Sequence, residues 1–338
     1  MAELLELGKE YPPAEEAGLI EKLRMAIQGG MQKQTHSPVT RAQHAKSHGC
    51  LAGELRVADD LPAALRVGIF ARSTIYPVWV RFSNGMGRNE DGTFPPDASP
   101  DVRGAAMKVM LGKEFATAEQ DFVFINSPIF FIRDVAGYLS FFPVAEAKKR
   151  GIIVLEKDKP PVIPEEWKDR FAAVSYAFKI VGGVMGQKTG SPLETRYWTA
   201  TPYRLGTAAV KYSLRPHLEP QSAAPNESDH YRVTMAQQLA QAPARFDLLV
   251  QVQVDAEAMP VEDPTQEWSE ADSPFVRVAT VELFAQSFDC PERNRFDESL
   301  SFSPWNTLPE HAPLGGVNRA RRIYQDLAEL RNGRNATA

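Results

Sequence analysis

In Arg41-Ala42-Gln43-His44-Ala45-Lys46-Ser47-His48-Gly49, two histidines, two cations and a glycine fall within nine residues. An imidazole titrates near neutrality, so either histidine is a candidate acid–base or metal ligand. Histidines four apart share one face of a helix and would form a metal pair there. A polar loop accommodates the same spacing with no chemistry. No carboxylate stands in an H-E-x-x-H arrangement, which argues against a zinc hydrolase built on His44 and His48. A second group is Val80-Arg81-Phe82-Ser83-Asn84-Gly85. In an extended strand, Trp79, Arg81 and Ser83 share one face and Val78, Val80 and Phe82 the other. The polar face either lines a pocket or is the solvated side of an edge strand. A third group is Asn126-Ser127-Pro128-Ile129-Phe130-Phe131-Ile132-Arg133-Asp134. Asn126 is either a donor that does not titrate or a turn residue ahead of Ser-Pro.

These groups need elements to hold them. Residues 14–31 read as a helix stopped by Gly29-Gly30, an arm spanning residues 1–35 ahead of a main domain over 36–334. Strands are expected at 51–57, 76–83, 105–111, 121–125, 197–212, 246–255 and 276–284, and helices at 136–150 and 164–184. A basic amphipathic helix is expected over 318–331, with a frayed end at 335–338. Strands dominate the middle and do not alternate with helices, so the fold class is α+β, an antiparallel barrel with helical additions. No G-x-G-x-x-G follows a strand, against a doubly wound sheet.

Composition excludes several classes. A net charge of −5 leaves no electrostatic footprint for nucleic acid or an anionic membrane. The start lacks a basic segment followed by an apolar one, and no apolar run is long enough to span a bilayer. Two cysteines, Cys50 and Cys290, make no disulfide framework, so a reducing cytoplasmic setting is expected.

Six blocks then point one way. "RAQHAKSHG" resembles the distal-histidine motif of haem catalases. "VRFSNGMG" with "SPDVRGAAMKV" is similar to the strand pair lining the distal side, and "NSPIFFIRD" to the distal-asparagine motif. "YWTATPYRLGTAAVKYSL", "VEDPTQEWSEADSPFVRVATVEL" and "FSPWNTLPEHAPLGGVNRARRIY" resemble later blocks of small bacterial catalase-related peroxidases. The collinear resemblance runs from about residue 41 to 330. It implies an eight-stranded antiparallel β-barrel with a helical insertion and C-terminal helices, carrying haem b with ferric iron. It also implies a peroxide substrate, reduced through a ferryl intermediate, with an organic electron donor. A homodimer stands as the candidate assembly.

By that resemblance His44 is the acid–base above the iron, Ser83 orients its other ring nitrogen, and Asn126 donates to bound peroxide. Arg41 and Arg81 match arginines near the haem propionates, for which guanidinium geometry is suited. Tyr324 is the proximal ligand; tyrosine ligation in catalase is an established case. The family places an arginine four residues before that tyrosine. Here position 320 is Ala, and Arg321, three before, is the nearest in kind. Gln43 is a second departure, since the family has a small apolar residue there. Its amide is expected to bond the imidazole or the peroxide. Conversion of fatty-acid hydroperoxides and a non-catalytic haem or lipid carrier are the alternative functions.

Overall fold

The computed structural model describes residues 5–34, 38–89, 91–156, 159–187, 189–219 and 228–336. Alternation builds a barrel first. Strand β1 (Ser47–Val57) pairs antiparallel with β2 (Ile75–Asn84), then β3 (Arg103–Met110) and β4 (Glu119–Ile125). Two helices intervene, α2 (Val135–Lys149) and α3 (Lys168–Met185). The chain returns through β5 (Tyr197–Trp198), β6 (Tyr203–Leu205) and β7 (Ala208–Pro216), helix α4 (His230–Gln241), β8 (Ala244–Val252) and β9 (Val276–Leu283). The two-residue β5 pairs both β4 and β7, and β9 pairs β1. That closes eight antiparallel strands, with β6 appended to β7, and leaves the ring without an open edge.

The inward residues of each strand make the barrel core. Val78, Val80 and Phe82 of β2 join Leu51, Met107 and Phe122 in one fully buried cluster. Phe82→Ala would cost about 3–5 kcal/mol there. Helices make a second core against the barrel's outside. Leu23 and Met31 of α1 (Glu16–Gln32), Val144 of α2, Val174 of α3 and Leu327 of α7 (Ile323–Ala336) share it. The arm helix α1 therefore packs on α2, α7 and the short α6 (Gly316–Ala320). The expected 35/36 boundary falls outside the described residues. Among the described residues no helix is long and apolar enough to cross a membrane.

Four local expectations change. The single strand over 197–212 is three, because Pro202 lacks a donor and Gly206 turns the chain at φ +64. The helix over 318–331 is two, broken at Arg321–Arg322. The end does not fray at Asn335, which exchanges hydrogen bonds with Val39; residues 337–338 lie outside the described set. Finally, two helices were not expected: α4, whose Tyr231, Met235 and Leu239 stand four apart on one buried face, and the polar α5 (Pro291–Ser299), which carries no apolar stripe. Pro291 in the first turn of α5 was its readable start.

Candidate active site

The nine-residue motif is not helical. His44 has φ +54, a left-handed conformation unusual for a side-chain-bearing residue. Its N–H donates to the Gly85 carbonyl at 3.3 Å, and its own carbonyl accepts from Arg81 Nη1 at 3.0 Å. Arg81 is buried, and its Nε donates to Asp297 Oδ1 of α5 at 2.8 Å. Asp297 also accepts from Ser47 Oγ. One carboxylate thus pins the histidine loop twice, and tertiary contacts offset the backbone strain.

The two histidines part company. His44 Nδ1 lies 3.1 Å from Ser83 Oγ, and Nε2 has no hydrogen-bond partner among the described residues. Burial, then the charges of Arg81 and Arg321, push the His44 imidazole down to about 4, so it is neutral at neutral pH. A bulge in β1 between Ser47 and Gly49 turns His48 elsewhere. Its Nε2 donates to Asn84 Oδ1 at 2.8 Å, and its ring stands edge-on to Tyr231. The metal pair is therefore not formed, and among the described residues no cluster of three or more metal-ligating His, Cys, Asp or Glu side chains exists.

His44, Ser83 and Arg81 face a cavity of about 480 Å³ between the barrel wall and the helical layer. The walls are mostly apolar, with Phe130, Phe131, Phe141, Phe142, Val181 and Met185 on the helical side. Arg41, Arg321 and Tyr324 also line it. Of the seven residues singled out from the sequence, six meet here. Asn126 does not. It is buried, but its Oδ1 accepts from the Arg103 N–H at 2.8 Å and its Nδ2 donates to Gln187 Oε1 at 3.2 Å. Its amide is committed to the seam between β3 and β4.

The one-residue shift ahead of Tyr324 has a local explanation. The N–H of Arg321, Arg322, Tyr324 and Gln325 each bonds the carbonyl three residues back. In such a 3₁₀ turn, residues three apart eclipse. Arg321 and Tyr324 therefore share a face, as residues four apart would nearly do on an α-helix. Arg319 points away, into Glu16 and Glu262, and Arg322 lies over Trp305. Tyr324 Oη is buried with no hydrogen-bond partner among the described residues. Burial, then the neighbouring Tyr138, drive its phenol well above the usual range, and only Arg321 opposes this.

Three features were missed from the sequence. Arg331 lies seven residues, two helical turns, after Tyr324 and joins Arg41 and Arg81 at one end of the cavity. The spacing was the available signal. Burial above all, and then the charges of Arg81 and Arg331, push Arg41 down to about 9. Asp101, buried in the cavity wall and raised to about 6 chiefly by burial, holds the Met86 and Val102 N–H groups. Tyr138 is the third. Burial raises its phenol while Arg321 and Gln43 act against the rise. Gln43 thus bears on Tyr138 and makes no hydrogen bond with the imidazole, contrary to one of its two expected contacts.

Residues 25–152 match the catalase family model. The matched segment holds His44, Ser83 and Asn126, whereas Tyr324, Arg321 and Arg331 lie beyond it. Three solved catalases share the fold. A fungal catalase superposes with a TM-score of 0.67 at 20% identity, over 98% of this chain and 66% of its own. A bacterial catalase gives 0.65 at 20%, over 98% and 64%. Catalase A from Saccharomyces cerevisiae gives 0.67 at 19%, over 98% and 68%. The chain spans about two thirds of the length of these catalases.

Proposed function

We propose that this chain is a catalase-family, haem-dependent peroxidase. It reduces hydrogen peroxide or organic hydroperoxides with electrons from an organic donor. The reading rests on one cavity that has His44 seated on Ser83 along its barrel wall and the unpartnered Tyr324 hydroxyl beside Arg321 along its helical wall. The residues present fit haem b. Tyr324 offers a buried oxygen with no other partner among the described residues, the walls are mostly apolar, and Arg41, Arg81 and Arg331, offset in part by Asp297 and Glu298, would suit its two carboxylates.

When bound, haem supplies a ferric Lewis acid and a redox reservoir. The protein's own part is proton handling and placement. With Nδ1–H donating to Ser83, His44 keeps the Nε2 lone pair free. Nε2 takes the proton from the near oxygen of the peroxide and delivers it to the far oxygen, which leaves as water or an alcohol. Arg321 favours the phenolate of Tyr324. Asn126, tied to Arg103, braces β3 in this scheme and has no direct part. The phenylalanine wall of the cavity would suit the apolar face of the haem.

The test is to add haem to the purified protein, follow the Soret band, and measure peroxide-dependent donor oxidation by wild type and His44→Ala. Stoichiometric haem uptake with activity dependent on His44 is expected. Failure to take up haem would overturn the reading, as would activity indifferent to His44. A non-catalytic carrier would bind haem and oxidise no donor.

A further inference from the structure

The geometry points to Gly104 as a positioning residue for His44: its missing side chain is what lets the imidazole sit on Ser83. Gly104 lies in β3 directly opposite Ser83 of β2. Its backbone is not in the left-handed region, so conformational freedom does not explain a glycine here. Space does. A Cβ at this position would lie 2.5 Å from both Cε1 and Nδ1 of His44, and 3.1 Å from Ser83 Oγ.

Ordinary van der Waals contact begins near 3.4 Å, so a methyl group would displace the ring by about 0.9 Å. The ring has few ways to yield. Its backbone is held on one side by Gly85 and on the other by Arg81, itself fixed by Asp297. The displaced atom is Nδ1, the one that bonds Ser83. An added methyl would therefore break the contact that fixes the tautomer and aims Nε2. Gly104 carries no polar atom in its side chain and touches no reacting group. It acts on chemistry only through the histidine.

This inference rests on His44 as the acid–base of the proposed peroxidase, but its main test does not. In haem-free protein, thermal midpoints are compared for wild type, Gly104→Ala, His44→Ala and the double variant. If the bare Cα matters because of the imidazole, Gly104→Ala lowers the midpoint by several degrees with His44 present and leaves it nearly unchanged in the His44→Ala background. A Gly104→Ala protein that folds only in the His44→Ala background supports the proposal equally. An equal penalty in both backgrounds overturns the proposal, since it would make Gly104 a requirement of the strand alone.

A second readout is the ¹⁵N shifts of the His44 ring in haem-free protein. Wild type should show one tautomer. Gly104→Ala and Ser83→Ala should each show averaging between two, and unaveraged shifts in Gly104→Ala would also overturn the idea. In haem-loaded protein the misplacement should slow oxidation by peroxide about 10²-fold. Thermal coupling between residues 44 and 104, with peroxide oxidation indifferent to both, would leave Gly104's placement intact and remove the peroxidase reading instead.

Discussion

Arg321 and Tyr324 are three residues apart and face the same cavity because a 3₁₀ turn links α6 to α7. The guanidinium is held by Thr201 Oγ1 and Asn318 Oδ1, both at 3.1 Å, and lies over the Phe130 ring. It is a fixed charge beside a phenol whose hydroxyl has no partner among the described residues. Tyr324→Phe should therefore change the ferric spectrum and lower haem retention, while Tyr138→Phe should leave the ligand signature in place. An unchanged spectrum with full haem occupancy in Tyr324→Phe would exclude this ligand.

The two histidines should behave very differently. His44→Ala is expected to keep the fold and haem but to slow oxidation by peroxide by about 10²–10⁴-fold. His48→Ala should be mild in rate, because its imidazole serves Asn84. The pH dependence has a definite sign. With its imidazole depressed to about 4, His44 is an available base throughout the neutral range. The rate should therefore be flat from about pH 6 upward and fall only as pH drops through about 4. A fall centred near pH 6.5 would point to an unperturbed histidine, and stopped-flow traces across this range decide it.

Arg331 and its neighbours bear on the cofactor's carboxylates. Arg331→Leu is expected to weaken binding of haem b by roughly 10- to 100-fold, the worth of one or two charge-assisted hydrogen bonds. It should barely change binding of haem dimethyl ester, which has no carboxylates to lose. Equal weakening of both ligands, measured by Soret titration, would assign Arg331 a packing role.

What the sequence disclosed and what it hid divide along physical lines. Ser83 and Arg81 were readable because period-two alternation in β2 is a local property. Closure of the barrel by β5 was not, since two residues carry no period. Arg331 could have been found from its two-turn spacing after Tyr324. Asp297 could not, because its pairing with Arg81 joins α5 to β2 across most of the chain. Gln43 was recognised as unusual, yet its contact with Tyr138 of α2 depends on helical packing that no local pattern encodes.

Acid should unfold the protein through its buried histidines. Burial depresses His311 to about 3, and burial leads the causes that depress His48 to about 4. The unfolded chain, with histidines near 6.5, then binds more protons than the native state between that value and about 4. Each histidine therefore contributes stability that is present above pH 6.5 and lost as pH falls toward 4, by up to about 3 kcal/mol. The raised carboxyls of Asp101 and Asp121 contribute in the opposite sense. His48→Gln should flatten the dependence measured by urea titration. A pH dependence unchanged between wild type and His48→Gln would contradict this account.

The last prediction concerns Gln43. An amide beside the imidazole would have altered His44 directly. The amide instead bears on Tyr138, and Arg321 acts on the same phenol. Gln43, on the cavity lining, and Tyr138, behind it, form one polar patch. Catalatic turnover needs a second hydrogen peroxide held in a narrow apolar pocket, whereas peroxidatic turnover draws electrons from a larger donor. Gln43→Val and Tyr138→Phe should each raise oxygen release relative to donor oxidation, by about fivefold if one net hydrogen bond is at stake. Because the two act as one patch, the double variant should shift the ratio no further than either single change. The ¹⁵N shifts of His44 should stay where they are in all three. Brisk oxygen release by the wild type, unaltered in every variant, would make the patch irrelevant to the balance. Additive shifts would show that Gln43 and Tyr138 act independently.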